Sequence, residues 1–399
     1  MAAVRAARNC TRATGNPPIE TGPGMRIADV EALLLRQPHV DASVADGSQD
    51  ALIIRIHSDE GITGLGEVDS LPLAVKAIID SPASHQNATG LRTLLIGQDP
   101  FEIRKLWQRL YAGSIYYGRR GVALHAISGI DIALWDIVGR ATGKPIHALL
   151  GGARRERIRA YASILMPETT DEVHRVVSAQ REAGFNAIKL GWGPLGRDAE
   201  VDVALTAAAR KAGGEDFDLM IDIGFGWRSV REGLDRARRM EPYRLYWIEE
   251  PFMPNDYAKY RALSSALETP LAAGEHETTR WDFERLIESG VDVVQPDVTR
   301  AGGISETVRI AELAAEAGRR CVLHSWSTGI IKAASLQVLA AMDEAEYFEY
   351  CVQETDLNRR LVKQRFPISD GMVEISREPG LGIELDDEVL VDCLVEVTT

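Results

Sequence analysis

The chain has 399 residues, of which 45% are hydrophobic and 26% charged. That is the balance of an ordinary globular protein with room for two domains. Its formal net charge of −14 argues against nucleic acid or an anionic membrane as a partner, since both favour basic surfaces, and no apolar run is read as approaching the ~20 residues of a membrane-spanning helix.

Residues 1–24 are rich in Ala, Arg, Gly, Pro and Thr without apolar periodicity and read as a disordered extension, with Met25 as an alternative start. Three strands follow: Met25 to Arg36, Ala51 to His57 and Ile62 to Glu67, the last two joined by a turn at Ser58-Asp59-Glu60-Gly61. The polar stretch from Gln37 to Asp50 is a candidate mobile loop. Asp99 and Pro100 read as the start of a helix carrying Ile103, Leu106, Trp107 and Leu110. A long helix is expected from Val122 to Thr142, stopped by Gly143 and Pro145. Residues 25–150 therefore read as a small α+β domain.

From Arg157 the pattern changes to alternating strand and helix. Arg159 to Leu165 is the first strand of the new series, and Thr169-Thr170-Asp171-Glu172 is a capping box opening the helix after it. Short apolar runs then end at Lys189, Asp222, Glu249, Glu275, Asp297, His324 and Glu349. From Asp222 onward these positions lie 27, 26, 22, 27 and 25 residues apart. A strand, a helix and two short loops need about that length, so residues 151–354 read as a β/α barrel of the TIM type, with polar residues at the C-terminal ends of its strands. Residues 355–399 are a tail expected to pack on the N-terminal domain. Cys10, Cys321, Cys351 and Cys393 show no metal-type spacing; reduced thiols and a cytoplasmic location are the expectation.

Asp222, Glu249 and Glu275 end consecutive strands, which are neighbours in a barrel. Any one alone reads as a solvated strand-end acid. Three together require a counter-charge, and oxygen ligands from separate strands suit Mg²⁺, one per subunit. Asp297 and His324 end the next two strands, and an Asp beside a His makes a general base. Lys189 could bind a substrate carboxylate, act as a base, or merely snorkel. Glu349, if protonated or bridged to a substrate oxygen, could hydrogen-bond a developing enolate. The set describes removal of a proton next to a carboxylate, with the enediolate held on the metal. Trp192, Trp227 and Trp326 follow strand ends, where packing competes with a pocket role. Tyr117 and Arg120 lie in a loop that could reach the barrel mouth, and an Arg there could hold a distal carboxylate.

Several stretches carry a resemblance. They are Gly129-Ile130-Asp131-Ile132-Ala133-Leu134-Trp135-Asp136, Leu149-Leu150-Gly151-Gly152, Trp247-Ile248-Glu249-Glu250-Pro251, Ala273-Gly274-Glu275, Gln295-Pro296-Asp297, Gly302-Gly303-Ile304 and Pro379-Gly380-Leu381-Gly382. In this order they resemble the mandelate-racemase subgroup of the enolase superfamily, from Met25 nearly to the C-terminus. The resemblance implies a capping domain on a (β/α)7β barrel, a homo-oligomer, and a loop near Val40 to Ser48 that closes over a small carboxylate substrate. It also implies metal roles for Asp222, Glu249 and Glu275, the dyad role for His324 with Asp297, and the final acidic role for Glu349. Two positions depart from the pattern. Lys189-Leu190-Gly191 replaces Lys-x-Lys, so the second-lysine base is missing, and Asp222-Ile223-Gly224 replaces Asp-x-Asn. One dyad without a second base favours dehydration of an acid sugar, an aldonate or aldarate, to a 2-keto-3-deoxy acid. A racemase, epimerase or lactone cycloisomerase is the alternative, and a catalytically inactive carboxylate-binding barrel is the third reading.

Overall fold

A computed structural model describes residues 24–85 and 87–396. The expected extension therefore lies outside the described residues, apart from Gly24. The N-terminal sheet is antiparallel, in the order β1 (Ile27–Arg36), β2 (Asp50–Ser58), β3 (Thr63–Val68). One face of the sheet is covered by helix Val122–Thr142, and β3 is buried from Gly64 through Val68. The covering is close. A Cβ on Gly66 would lie 1.9 Å from the Gly129 carbonyl oxygen, and one on Gly64 would lie 2.1 Å from that of Ala133. Only glycine admits that approach of helix to sheet.

Helix Val122–Thr142 also corrects one expectation. By length and composition it could cross a membrane, yet 89% of its apolar window is buried inside the protein. A helix apolar on all sides is buried on all sides: β3 lies against one side, and the barrel helix Gly303–Glu316 against another. Its left-handed C-cap is Gly143, as the sequence predicts. The helix expected from Asp99 starts later, at Ile103, because Asp99 turns back to accept from the Phe101 backbone N–H.

The second unit has eight parallel strands: β4 (Arg157–Leu165), β5 (Ala187–Gly191), β6 (Asp218–Asp222), β7 (Trp247–Glu249), β8 (Leu271–Ala273), β9 (Val293–Val294), β10 (Arg320–Cys321) and β11 (Tyr347–Cys351). Ladders join β11 to β4 and run on in sequence order to β10. Seven helices alternate with them, giving a (β/α)7β barrel. The predicted capping box is present, with Thr169 accepting from the Glu172 backbone and bonding its side chain at 2.9 Å. Gly184, Gly290 and Gly318 all have positive φ after their helices.

A single buried layer fills the barrel: Tyr161, Ala187, Met220, Trp247, Ala272, Val293, Val322 and Tyr347. Because strand side chains repeat with period two, the positions two residues further along each strand face the same interior one level up. They are Ser163, Lys189, Asp222, Glu249, Gly274, Gln295, His324 and Glu349. The apolar floor thus aligns a polar layer above it.

The chain after Glu354 divides its contacts rather than packing only on the N-terminal sheet. The hairpin of β12 (Ile368–Ser369) and β13 (Met372–Glu374) adds to the barrel edge at β4. Helix Asp387–Cys393 lies against β1, where Leu394 bridges Leu35.

Candidate active site

The polar layer opens into a cavity of about 200 Å³ lined by Lys189, Trp192, Asp222, Glu275, His276, Arg300, His324 and Trp326, among others. Oxygen atoms of Asp222, Glu249 and Glu275 lie within 4.8 Å of one another, and all three residues are buried. Asp222 and Glu249 sit at the last residues of β6 and β7. Glu275 stands two residues beyond β8 and reaches the group through Gly274, whose φ of 138° and contact with Gln295 leave no room for a side chain.

Glu249 is held on all sides. Lys189 Nζ lies 2.5 Å from one oxygen, while Trp247 Nε1 and Gln295 Nε2 donate to the other at 2.9 and 2.7 Å. Burial, together with the charges of Glu249 and Glu275, pushes Asp222 well above the usual carboxylate range. Burial raises Glu249 too, against the pull of Lys189. Burial also works to raise Glu275, but His324, His276 and Arg300 outweigh it and hold it at about 2. Three buried carboxylates of this kind are short of positive charge and offer only oxygen, so the donor set fits a hard divalent cation. Glu250, Glu275 and His276 form a second close group, but His276 Nδ1 is already engaged by Glu250 at 2.9 Å.

His324 Nδ1 meets Asp297 Oδ2 at 2.6 Å, and its Nε2 lies 3.3 Å from Glu275 Oε2. Asp297 is fixed in turn by the Thr299 backbone N–H and hydroxyl, both donating at 2.6 Å. The hydrogen bond to Asp297 assigns the Nδ1 proton and leaves Nε2 facing the cavity. Burial opposes a charged imidazole, but Glu275, Glu349 and the Asp297 bond lift His324 from 6.5 to about 10.

Lys189 is also paired with Glu349, at 2.8 Å. Burial opposes its charge, yet Glu249 and Glu349 hold the ammonium well above its ordinary range, which favours the charged form. Glu349 differs from the protonated acid considered from sequence. Burial would raise it, but Lys189 and His324 hold it below the usual range. It accepts from Ser163 Oγ at 2.7 Å and the Ser325 backbone N–H at 2.8 Å, and these bonds favour its ionised form.

Both departures from the Lys-x-Lys and Asp-x-Asn pattern have a steric counterpart. A Cβ at Gly191 would lie 2.7 Å from Asp222 Cβ, and one at Gly224, where φ is +55°, would lie 2.9 Å from the Trp192 ring. Asp222 takes the space at position 191, and the Trp192 indole takes it at position 224.

Trp192 and Trp326 line the cavity; Trp227 is fully buried elsewhere. Tyr117 and Arg120 are not brought to it. Tyr117 donates to the Thr89 carbonyl at 2.7 Å, and Arg120 is paired with Asp282 at 2.7 Å, so a distal-carboxylate role for Arg120 is set aside. Sequence reading missed Arg300, which lines the cavity and pairs with Asp69 of the N-terminal unit at 2.6 Å. It also missed Ser163, Gln295 and His276. Ser163 and Gln295 carry a signal, being two residues above the barrel floor; the Asp69–Arg300 pair, 231 residues apart, carries none. The loop between β1 and β2 sits over the mouth, with Ala45 lining the cavity and Asp46 accepting from Trp326 Nε1 at 3.1 Å.

A family model described as "Mandelate racemase / muconate lactonizing enzyme, N-terminal domain" matches residues 25–151, and one described as "Enolase C-terminal domain-like" matches residues 171–389. The chain belongs to the mandelate racemase/muconate lactonizing enzyme family of the enolase superfamily. Within this family it is 34% identical to D-galactarolactone cycloisomerase of Agrobacterium fabrum, over 92% of this chain and 98% of that one. It is 32% identical to D-galactonate dehydratase of Pectobacterium atrosepticum, over 86% and 90%. The 3,6-anhydro-D-galactonate cycloisomerase of Zobellia galactanivorans superposes with a TM-score of 0.85 at 31% identity, covering 93% of this chain and all of that one. A racemase from Streptomyces coelicolor A3(2), solved with bound magnesium, superposes at 0.82 with 29% identity, covering 92% and 100%.

Proposed function

We propose that this family member is a Mg²⁺-dependent dehydratase of acid sugars that removes the proton α to the carboxylate. The observation that carries the reading is one cavity in which three convergent carboxylates face a His–Asp dyad joined at 2.6 Å. Dehydratases of aldonates among the relatives, and bound magnesium in one solved neighbour, support it. Asp222, Glu249 and Glu275 are the residues that would hold the cation. When bound, it supplies positive charge where negative charge develops on the substrate acid's oxygens.

The chain's own residues do the rest. A cation held by the three carboxylates would offset the charge of Glu275 that favours the imidazolium, and His324 Nε2, in its neutral form, takes the proton from the α-carbon. Asp297 keeps Nδ1 protonated and stabilises the imidazolium that results. The same Nε2 then returns that proton to the β-hydroxyl on the same face, so the C–O bond breaks with loss of water. The enol left behind tautomerises to a 2-keto-3-deoxy acid. Lys189, kept cationic between Glu249 and Glu349, adds charge beside the substrate carboxylate. With a glycine at position 191, no second lysine stands across the carbon, which disfavours racemisation.

A cycloisomerase is the second reading, favoured by the 98% coverage of the A. fabrum relative. It uses the same proton abstraction. The test is a screen of the Mg²⁺-loaded protein against aldonates, aldarates, uronates and their lactones, with 2-keto-3-deoxy acids trapped as semicarbazones. A keto-acid signal supports dehydration. α-Deuterium incorporation or lactone consumption without one moves the assignment to the isomerase reading. A protein that binds Mg²⁺ but exchanges no α-proton sinks both and leaves an inactive carboxylate-binding barrel.

A further inference from the structure

A second cleft, of about 130 Å³, lies between helix Gly329–Ala341, the end of β11, the short helix Asp356–Arg359 and the segment that follows it. It shares no lining residue with the catalytic cavity. Tyr350 forms part of its wall, on the outward side of β11, because Tyr347 and Glu349 face the barrel interior. Three basic residues line the cleft, Lys332, Arg359 and Arg365, and no acidic one does among the described residues.

Two lysines are buried in the described chain, and their surroundings differ. Lys189 lies between two carboxylates. Lys332, 1% exposed, is paired with none among the described residues. Its ammonium donates to the Cys351 carbonyl at 3.1 Å and to Asn358 Oδ1 at 2.5 Å, and it lies 4.4 Å from the centre of the Tyr350 ring. An ammonium has three donors, so one is left for a ligand. Asn358 cannot turn away, since its Nδ2 donates to the Gln353 carbonyl at 2.6 Å. The acids whose charge reaches Lys332 are already engaged, Glu67 by Thr328 and Ile331, and Glu354 by Arg359. Burial lowers Lys332 to about 8, an effect that Cys351 and Glu67 offset only in part. Arg365, exposed at the rim, donates only to the carbonyls of Val362 and Gln364, at 2.6 and 3.4 Å, and has no acid partner among the described residues. A buried cation without a counter-charge is costly, and an anion placed between Lys332 and Arg365 would supply one.

We propose that this cleft is an anion site for a compact oxyanion, inorganic phosphate or a short carboxylate. Charged donors at two ends suit oxygen acceptors, and the walls of Val362, Phe366 and Pro367 close the remainder with apolar surface. Neither Lys332 nor Arg365 lines the catalytic cavity, so the outcome does not depend on the reaction assigned above. The experiment titrates inorganic phosphate and, separately, acetate into the full-length Mg²⁺-loaded protein by calorimetry. At least one should bind. Arg365→Gln, at an exposed position, should weaken that binding about tenfold or more, the equivalent of one charge-assisted hydrogen bond. Lys332→Met, which keeps the length of the side chain and removes its charge, should abolish it; if that variant fails to fold, Arg365→Gln decides. Phosphate alone, or acetate alone, identifies the source of the oxyanion, and both together mean that the cleft accepts either. Binding that survives Arg365→Gln unchanged places the anion elsewhere, the catalytic cavity included, and overturns the proposal. So does the absence of binding by both anions at about 20 mM, well past a millimolar affinity.

Discussion

His324 sits between two carboxylates, Asp297 on one ring nitrogen and Glu275 near the other. Replacing it with Asn keeps a polar side chain of similar reach but removes the proton acceptor. Turnover should fall by about 10³-fold, within the range typical of a lost general base, with Mg²⁺ affinity near that of the parent by calorimetry; retained activity would place the base elsewhere. Glu249→Gln should weaken Mg²⁺ at least tenfold, because it removes one of three anionic ligands; unchanged affinity would take Glu249 out of the set. Gly191→Lys tests the missing second base. Its Cβ would crowd Asp222 at 2.7 Å, so the variant should lose Mg²⁺ affinity and gain no racemisation, read by α-deuterium exchange with inversion. A gain would show that the mouth has more room than Trp192 and Asp222 leave.

At the scale of elements, the site is only as ordered as the pieces that close on it. The loop before β2 is fastened by Asp46 to Trp326 and by Ser48 to Thr355, at 3.1 Å each. Asp46→Ala should raise KM severalfold while leaving Mg²⁺ binding and the folded fraction unchanged; an unaltered KM would mean that the tether does not hold the lid. The pairing of β3 with helix Val122–Thr142 depends on Gly64 and Gly66. Gly66→Ala places a methyl 1.9 Å from a backbone oxygen and should cost about 3 kcal/mol in chemical denaturation.

The two units are joined across the whole molecule by buried polar contacts. Asp131 of the long helix accepts from the Ser305 backbone at 2.9 Å and its hydroxyl at 2.7 Å. Burial, only partly offset by those bonds, pushes Asp131 from 3.8 up to about 7. The native state therefore keeps a proton that the unfolded chain releases. The associated stability is full below about pH 4 and is lost as pH rises through about 7. Asp131→Asn cannot release that proton, so between pH 4 and 7 the parent should lose as much as about 4 kcal/mol relative to the variant. Parallel pH profiles would mean that Asp131 is ionised in the fold. A homo-oligomer is proposed at this scale too. Light scattering should give a multiple of the single-chain mass, and a monomer at micromolar concentration would remove it.

What the sequence by itself determined was the order and type of elements and the residues that crown the strands. Apolar runs ending in a polar residue every 22 to 27 positions match the strand-and-helix repeat of a barrel, and the two-residue period along each strand puts Lys189, Asp222, Glu249, His324 and Glu349 on one level above its floor. That legibility is local, since strand alternation and helix capping act over a few residues. Only the tertiary structure decided which charges meet. Arg300 finds Asp69 from the other unit, while Arg120, plausible from its loop, is taken by Asp282. Lys189, readable from sequence as carboxylate binder or base, and Glu349, readable as a hydrogen-bonding acid, are brought to 2.8 Å of each other on the two strands that flank β4. Protonation in a buried site follows from distance and desolvation, and neither is written in the spacing of residues along a chain.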